Sequence, residues 1–237
     1  MQDLVLHAKS YPFPSVERSY FFYNGRVKTL KTHDFDRTGL VPVLAAGSNQ
    51  SPEQLARKYK DMAEPIFFPV QRCTLFDFDS VYAAHISSYG SIPSTFYPSP
   101  GTAVMTYILW LNDLQLARMH QTEKNYTFDQ LDDLKIEIFE NTDTIHKAYA
   151  YTSKEGCVNY KGSPISLAEI PAVGRNFINK TQTEILEYLR EICSPDSKLD
   201  DFILEQIQNK NIRRERAATL RAKAIPAVFE RKIILEL

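Results

Sequence analysis

A turn and a carboxylate are the parts of this 237-residue sequence whose residue types and spacing suit chemistry. The turn is Gly47-Ser48-Asn49, which follows the apolar run Val41–Ala46. Gly47 allows a tight turn and a close approach of a ligand to the backbone. A strand that ends in such a turn leaves several backbone N–H groups pointing at one spot, which suits a phosphate, a carboxylate or a developing oxyanion. The sequence therefore predicts an anion pocket at this turn.

The carboxylate is Glu123, at the end of a helix predicted from Asn112 to about Glu123. Leu116, Met119 and Glu123 lie at positions i, i+3 and i+7, which puts the carboxylate on an apolar stripe. Burial of a carboxylate costs free energy unless it is hydrogen-bonded, and removal from water raises the pKa of a carboxyl. Such a group suits general acid–base chemistry at neutral pH. The alternative is that Glu123 lies at a frayed helix end and is simply solvated.

The helix after the turn has a clear start. Ser51 suits the N-cap position, Pro52 suits the first helical position, and Glu53 suits the positive end of the helix dipole. These residues predict a helix from Pro52 to Tyr59. The turn therefore lies between a strand and a helix that both hold it in place.

Strand signals dominate the first two thirds of the chain. Asn24-Gly25 between β-rich runs predicts an N-terminal hairpin within Ser19–Leu30. Gly, Pro and Ser content predicts a loop at Tyr89–Gly101. Strands are predicted at Val41–Ala46, Phe67–Ser87, Thr102–Leu111, Leu134–Phe139 and Ile145–Thr152. Strands alternate here with only short helices, which favours an α+β fold with a mixed or closed sheet over a doubly wound one.

The residues beyond Gly156 change character. Helices are predicted at Thr181–Ile192, Lys198–Gln208 and Ile212–Lys223, and a last strand at Val228–Leu235. We expect a single domain over 1–237, with a helical C-terminal extension over 160–237.

Composition limits the classes of function. Hydrophobic residues make up 43% and charged residues 24%, which predicts a globular core. The net charge of −1 gives no bulk attraction to nucleic acid or to an anionic membrane, so neither is expected as a partner. No apolar run approaches the roughly 18 residues of a membrane helix. Cys73, Cys157 and Cys193 form no CxxC pair, so we expect reduced thiols in a cytoplasmic protein.

Four stretches resemble motifs of the γ-glutamylcyclotransferase-like family and occur in the family's order. The strand ending in Gly47-Ser48-Asn49, followed by a capped helix, resembles its Tyr-Gly-Ser-Asn motif. Ile92–Leu111 looks like its loop and following strand. Leu114–Tyr126 looks like its helix ending in a catalytic Glu with a Tyr soon after, and Ala148–Tyr151 is similar to its next strand. The resemblance covers a core over 38–155.

The resemblance implies a small mixed β-barrel flanked by helices. It also implies that Glu123 acts as acid and base while a γ-glutamyl group cyclises to 5-oxoproline, releasing an amine or amino acid. A small-molecule γ-glutamyl substrate is then expected, with no metal and no cofactor. The implied substrate-binding residues are Ala46, Gly47, Ser48, Asn49, Tyr126 and Tyr151. His85 joins them because Tyr82–Thr95 is dense in hydroxyl groups that could recognise a substrate.

Several positions depart from the family pattern. Ala46 stands where the motif has Tyr, which removes an aromatic wall of the pocket, and Gln50 replaces the usual apolar residue. Thr106 stands where the family usually has Gly, and Lys124-Asn125 shortens the link from Glu to Tyr. A second hypothesis therefore stays open: a small-molecule-binding or regulatory protein that keeps the fold and performs no turnover.

Overall fold

Six α-helices lie within residues 2–30, 35–62, 65–140 and 144–237, the ranges that the computed structural model of the chain describes. They are α1 (Gln2–Lys9), α2 (Pro52–Tyr59), α3 (Asp113–Thr122), α4 (Gln182–Cys193), α5 (Leu199–Gln208) and α6 (Lys210–Arg221). The sequence predicted all of them except α1, and α6 begins two residues before its predicted start at Ile212. No helix in the described ranges is both long and apolar enough to cross a membrane.

Fifteen strands lie in the same ranges, and thirteen of them form one sheet. They are β1 (Tyr20–Tyr23), β2 (Arg26–Thr29), β3 (Val41–Leu44), β4 (Phe67–Tyr82), β5 (Ser94–Leu111), β6 (Tyr126–Leu131), β7 (Ile136–Ile138), β8 (Thr144–Ile145), β9 (Ala148–Ser153), β10 (Asn159–Tyr160), β11 (Ser163–Pro164), β12 (Ser166–Leu167), β13 (Ala172–Val173), β14 (Asn179–Lys180) and β15 (Lys232–Glu236). Only β10 and β11 pair apart from this sheet.

The long antiparallel pair of β4 and β5 forms the centre of the sheet, from Val70 opposite Leu109 to Tyr82 opposite Ser94. The predicted loop at Tyr89–Gly101 is therefore wrong from Ser94 onward. The register shifts within this stretch, because Phe76 pairs with Ala103 and Phe78 with Pro98, so the extra residues belong to β5. Such irregular positions tolerate the Pro and Gly residues that favoured a loop. Pairing with a distant strand outweighs the local composition.

The sheet is mixed, because β3 pairs antiparallel with β5 and parallel with β9. The main order is β14-β12-β4-β5-β3-β9-β6-β15. The α+β class is confirmed. Strand pairs within the described ranges form an open path, so the predicted closed barrel is not confirmed.

The predicted hairpin is confirmed as β1 and β2. Asn24 and Gly25 both have positive φ, at 43° and 79°, as a two-residue hairpin turn requires. The hairpin joins the sheet because β1 pairs with β4. It thereby extends the sheet beside α2 and the segment that leads into β4.

The two faces of the sheet carry separate apolar clusters. Along β5, Leu109 and Leu111 pack with α2, α3 and the hairpin. Ile108 and Trp110 pack on the other face with α1, α4, α5 and α6. This alternation is the period-2 pattern of a strand buried on both faces. The turn after β3 and the end of α3 are fixed by these layers.

Residues 160–237 are not purely helical. In this part of the chain β12 pairs with β4, β13 with β5 and β15 with β6. The last strand lies at Lys232–Glu236, inside and just past its predicted range of Val228–Leu235. The two-residue strands β12 and β13 escape sequence prediction because their partners in β4 and β5 lie far away in the chain.

A buried ion pair attaches this C-terminal part to β4. Asp79 is fully buried, and its Oδ2 lies 3.1 Å from Nε of Arg175 and accepts a hydrogen bond from Ser166 Oγ at 2.6 Å. Burial raises the pKa of Asp79, while Ser166 and Arg175 act in the opposite direction. The charged form of Asp79 is therefore stabilised by Ser166 and Arg175.

We expect Arg175→Met to lower the free energy of unfolding by about 3 kcal/mol at pH 7, because it leaves a buried carboxylate without its cation. The difference in unfolding free energy between the parent and Arg175→Met should become smaller as the pH falls, since protonation removes the charge of Asp79. Urea unfolding at pH 7 and pH 4 measures both effects. Lys135→Met, which breaks an exposed pair with Glu137, is the control and should cost less than about 1 kcal/mol. Equal losses in the two variants would contradict the role of the Asp79 pair.

Candidate active site

One cavity of about 530 Å³ brings the predicted site residues together. It opens between the turn after β3, the C-terminal end of α3 and the segment that leads into β5. All eight predicted residues line it: Ala46, Gly47, Ser48, Asn49, His85, Glu123, Tyr126 and Tyr151. Sequence positions as far apart as 46 and 151 therefore meet at one place.

Glu123 lies at the C-cap of α3 and is only 8% exposed. Its backbone is held on both sides, since its N–H donates to the His120 carbonyl at 3.1 Å and its carbonyl accepts from the Tyr126 N–H at 2.9 Å. The side chain accepts a hydrogen bond from Asn49 Nδ2 at 3.2 Å. A solvated, frayed helix end is therefore wrong for this residue, and its carboxylate borders the cavity from a fixed backbone.

Lys58 is the partner that the sequence interpretation missed. Its ammonium forms an ion pair with Glu123 and donates to Asn49 Oδ1 at 2.6 Å. The side chains of Lys58 and Glu123 are each 11% exposed, so the pair lies in the cavity wall. Lys58 follows Gln54 by four residues and Leu55 by three, and both are buried. The stripe argument that identified Glu123 would have found Lys58 as well.

The three side chains form a closed triangle of polar contacts. Asn49 donates to Glu123 and accepts from Lys58, which in turn pairs with Glu123. Each charge is thus hydrogen-bonded as well as paired, which is what a charge held mostly out of water requires. The triangle presents one negative and one positive group to the same cavity.

Close approach explains Gly47, the glycine of the turn. A Cβ at this position would collide with Oη of Tyr11 and Oγ of Ser94. The turn is held from the sheet as well, because the Ala46 carbonyl accepts hydrogen bonds from Ser80 Oγ at 2.5 Å and Ser94 Oγ at 2.8 Å.

Tyr11 reaches the turn from the N-terminal segment, outside the region of family resemblance. Its hydroxyl oxygen accepts the Ser94 N–H at 2.9 Å and lies 2.8 Å from Ser94 Oγ. Burial raises the pKa of Tyr11 to about 12, against the opposing effect of hydrogen bonds from Ser94 and from the Ser48 backbone. The hydroxyl is therefore neutral at pH 7. No local sequence signal links residue 11 to residues 47 and 94.

Tyr126 and Tyr151 form an aromatic wall. Tyr126 donates to the Ser94 carbonyl at 3.1 Å, and the Tyr151 hydroxyl lies 2.9 Å from His120 Nδ1. Burial raises the pKa of both tyrosines, so both stay neutral. Since their hydroxyl groups already have protein partners, they offer the cavity ring surface more than polar contacts.

His85 adds a neutral polar group to the cavity. It is 5% exposed and packs edge-on against the Tyr126 ring, with centroids 5.2 Å apart. Burial lowers the pKa of His85 to about 4, with a smaller effect from the positive charge of Arg221. Among the described residues its Nδ1 finds no hydrogen-bond partner. A ligand in the cavity could supply one.

We expect His85 to make folding stability depend on pH between 6.5 and 4. The unfolded chain binds a proton on His85 below about pH 6.5 and the folded chain only below about pH 4, so stability falls as the pH falls through this window. The free energy of unfolding falls by about 3 kcal/mol across the whole window. His85→Phe should flatten this part of the profile, as measured by urea unfolding at pH 7, 5.5 and 4.5. Parallel profiles for the parent and the variant would show that His85 is not buried in its neutral form.

Comparisons with known proteins find similar chains among solved structures, three of which follow. No protein-family model matches the sequence, and no curated protein matches it. A solution structure of a protein from Arabidopsis thaliana is 15% identical, with 69% of this chain and 97% of that chain covered and a TM-score of 0.39. An uncharacterized protein from Homo sapiens is 14% identical, with 82% and 94% covered and a TM-score of 0.39. A structure described as "Gamma-glutamyl cyclotransferase" is 15% identical, with 82% and 93% covered and a TM-score of 0.38.

Proposed function

We propose that this protein is an enzyme that cyclises a γ-glutamyl group to 5-oxoproline and releases an amine or amino acid. The observation that carries the proposal is the Glu123 carboxylate, buried in the cavity wall and hydrogen-bonded to Asn49 of the turn. A buried carboxylate beside a turn of main-chain donors supports turnover, whereas a solvated and remote one would have favoured a binding protein. The closed barrel and the cytoplasmic location stay predictions, and the cavity depends on neither.

The pair of Glu123 and Lys58 is complementary to the head of a γ-glutamyl compound. That head carries an α-ammonium and an α-carboxylate on one carbon atom. In the proposed complex the substrate ammonium takes the place of the Lys58 ammonium beside Glu123, and the substrate carboxylate pairs with Lys58. Each charge then meets an opposite one in a partly dry site, where charge-assisted hydrogen bonds are strong. The flexible four-carbon stem of Lys58 allows this exchange.

The first chemical step is a proton transfer. The α-ammonium cannot attack while it is protonated, so Glu123 takes one of its protons and acts as general base. The free amine then attacks the γ-carbonyl carbon of the same molecule, which forms the C–N bond of a five-membered ring. The carbonyl electron pair moves to oxygen. Main-chain N–H groups of the Gly47–Asn49 turn and the Asn49 amide would stabilise this oxyanion.

The second step breaks the original amide. The oxyanion reforms the carbonyl, the bond to the leaving nitrogen breaks, and Glu123 gives its proton to that nitrogen. The ring nitrogen still carries one proton more than the product needs. Glu123 transfers this proton to the leaving nitrogen as well, so the amine leaves as an ammonium ion. Nucleophile and electrophile belong to one molecule, and most of the acceleration would come from holding it in the reactive conformation. The scheme uses no metal and no cofactor.

We expect Glu123→Gln to lower kcat at least about 100-fold, because the amide can still bind but cannot accept a proton. The assay measures 5-oxoproline from a panel of γ-glutamyl amino acids, peptides and amines. Glu137→Gln is the matched control, because it neutralises an exposed carboxylate on β7, and it should keep parental activity. A Glu123→Gln variant as active as the parent would remove Glu123 from catalysis. Binding of panel members by a parent protein that turns none of them over would favour the binding-protein hypothesis.

We expect Lys58→Met to raise KM about 10- to 100-fold with a smaller change in kcat, since it removes the partner of the substrate carboxylate in ground state and transition state alike. Steady-state kinetics on the best panel substrate measures both constants. Lys60→Met changes an exposed lysine two residues further along and should alter neither. An unchanged KM in Lys58→Met would show that the substrate carboxylate lies elsewhere.

A further inference from the structure

The N-terminal segment contributes a buried side chain that the proposed chemistry does not use. Tyr11 is 3% exposed and lines the same cavity as Glu123. The segment that carries it is anchored before it enters the cavity, because the Ala8 carbonyl accepts a hydrogen bond from Ser91 Oγ at 2.8 Å. Lys9 forms an ion pair with Asp200 of α5 on the surface. Contacts outside the cavity therefore hold the segment that places Tyr11 beside the turn.

The hydrogen bonds around the Tyr11 hydroxyl have a defined direction. Ser94 Oγ donates its single proton to the Ala46 carbonyl, so the Tyr11 hydroxyl is the donor in its contact with Ser94 Oγ. The Tyr11 oxygen in turn accepts the Ser94 N–H, and it lies so close to Gly47 that a Cβ there would collide with it. One hydroxyl thus contacts both the turn and the first residue of β5. It also fixes the orientation of the Ser94 hydroxyl that holds Ala46.

The same turn sets the position of the acid–base group. Asn49 lies one residue after Ser48, and its side chain is the link from the turn to both Glu123 and Lys58. If the backbone at Ser48 moved, the Asn49 amide would move with it. General acid–base catalysis is sensitive to such shifts, because a misplacement of about 1 Å can cost up to about 100-fold in rate.

We propose that Tyr11 is a positioning residue whose hydroxyl holds the Ala46–Asn49 turn in register with Glu123. The inference rests on the proposed function and adds to it a residue from outside the region of family resemblance. Its effect comes from the hydroxyl oxygen and proton, not from the ring. Loss of the hydroxyl leaves the Ser94 N–H without its acceptor and frees Ser94 Oγ to rotate away from the Ala46 carbonyl.

The test compares two tyrosines that both anchor the N-terminal segment. Tyr11→Phe removes the hydroxyl at the turn. Tyr107→Phe is the matched control, because Tyr107 is 3% exposed and its hydroxyl donates to the Val16 carbonyl at 2.7 Å, away from the cavity. Each variant loses one buried hydroxyl group, but that of Tyr11 makes two hydrogen bonds and that of Tyr107 one, so the larger loss of melting temperature is expected in Tyr11→Phe. Steady-state kinetics of 5-oxoproline formation from the best panel substrate is measured for both and for the parent.

We expect kcat to fall about 10- to 100-fold in Tyr11→Phe, with KM changed less than about threefold, and both constants to stay parental in Tyr107→Phe. Parental kcat in Tyr11→Phe would overturn the inference and leave the proposed function standing. Equal losses of kcat in the two variants would also overturn it, because Tyr11 would then act only by anchoring the segment. Failure of the parent on the whole panel would refute the proposed function and this inference with it.

A second variant keeps the test decisive if Tyr11→Phe does not fold. Ser94→Ala removes the acceptor of the Tyr11 proton and one of the two donors to the Ala46 carbonyl. We expect Ser94→Ala to lower kcat as Tyr11→Phe does, again with little change in KM. Where Tyr11→Phe does fold, the fold-loss of kcat in the double variant should be smaller than the product of the two single losses, since both substitutions break one network. A loss of kcat in the double variant equal to the product of the two single losses would show that Tyr11 and Ser94 act independently.

Discussion

The requirement that buried charges be paired governs this site. Glu123 and Lys58 lie mostly out of water, and each would be costly alone. Their pairing, with Asn49 between them, joins three elements that are separate in the sequence: the C-terminal end of α3, the C-terminal end of α2, and the turn after β3. The sheet holds β3 beside β5, and α2 packs against α3 on the same face. The fold brings these three side chains to one point, and the cavity is the space that remains in front of them.

The cavity lining combines neutral polar groups with charged ones. Tyr11, Tyr126 and Tyr151 are neutral because burial disfavours the phenolate, and burial likewise disfavours protonation of His85. The charged residues of the lining are Glu123, Lys58, Arg57, Arg118 and Lys124, and Glu123 and Lys58 form a largely buried ion pair. A ligand with two opposite charges close together is complementary to that pair. This complementarity is a reason to look for a zwitterionic head group before any other ligand.

The sequence predicted the features that depend on residues close together in the chain. Capping at Asn112 and Thr181, the Asn24-Gly25 turn and the stripe that ends at Glu123 each depend on residues within one or two helical turns or a two-residue loop. The strand character of 94–101 depends on pairing with β4, and β12 and β13 depend on partners in β4 and β5, so composition alone missed them. Lys58 was within reach of the stripe argument that found Glu123. Tyr11 was not, because its contacts at 47 and 94 share no periodicity with it.

Contacts between segments far apart in the chain have a consequence for biosynthesis. Gly90 lies against Ala8 of α1 and Ile207 of α5, and its carbonyl accepts a hydrogen bond from Gln206. Helix α1 therefore packs near a helix that is translated nearly two hundred residues later. A nascent chain can pair β4 with β5 early, but it cannot pack α1 fully, and Tyr11 with it, until α5 has emerged. The cavity would then be completed well after the central strand pair has formed.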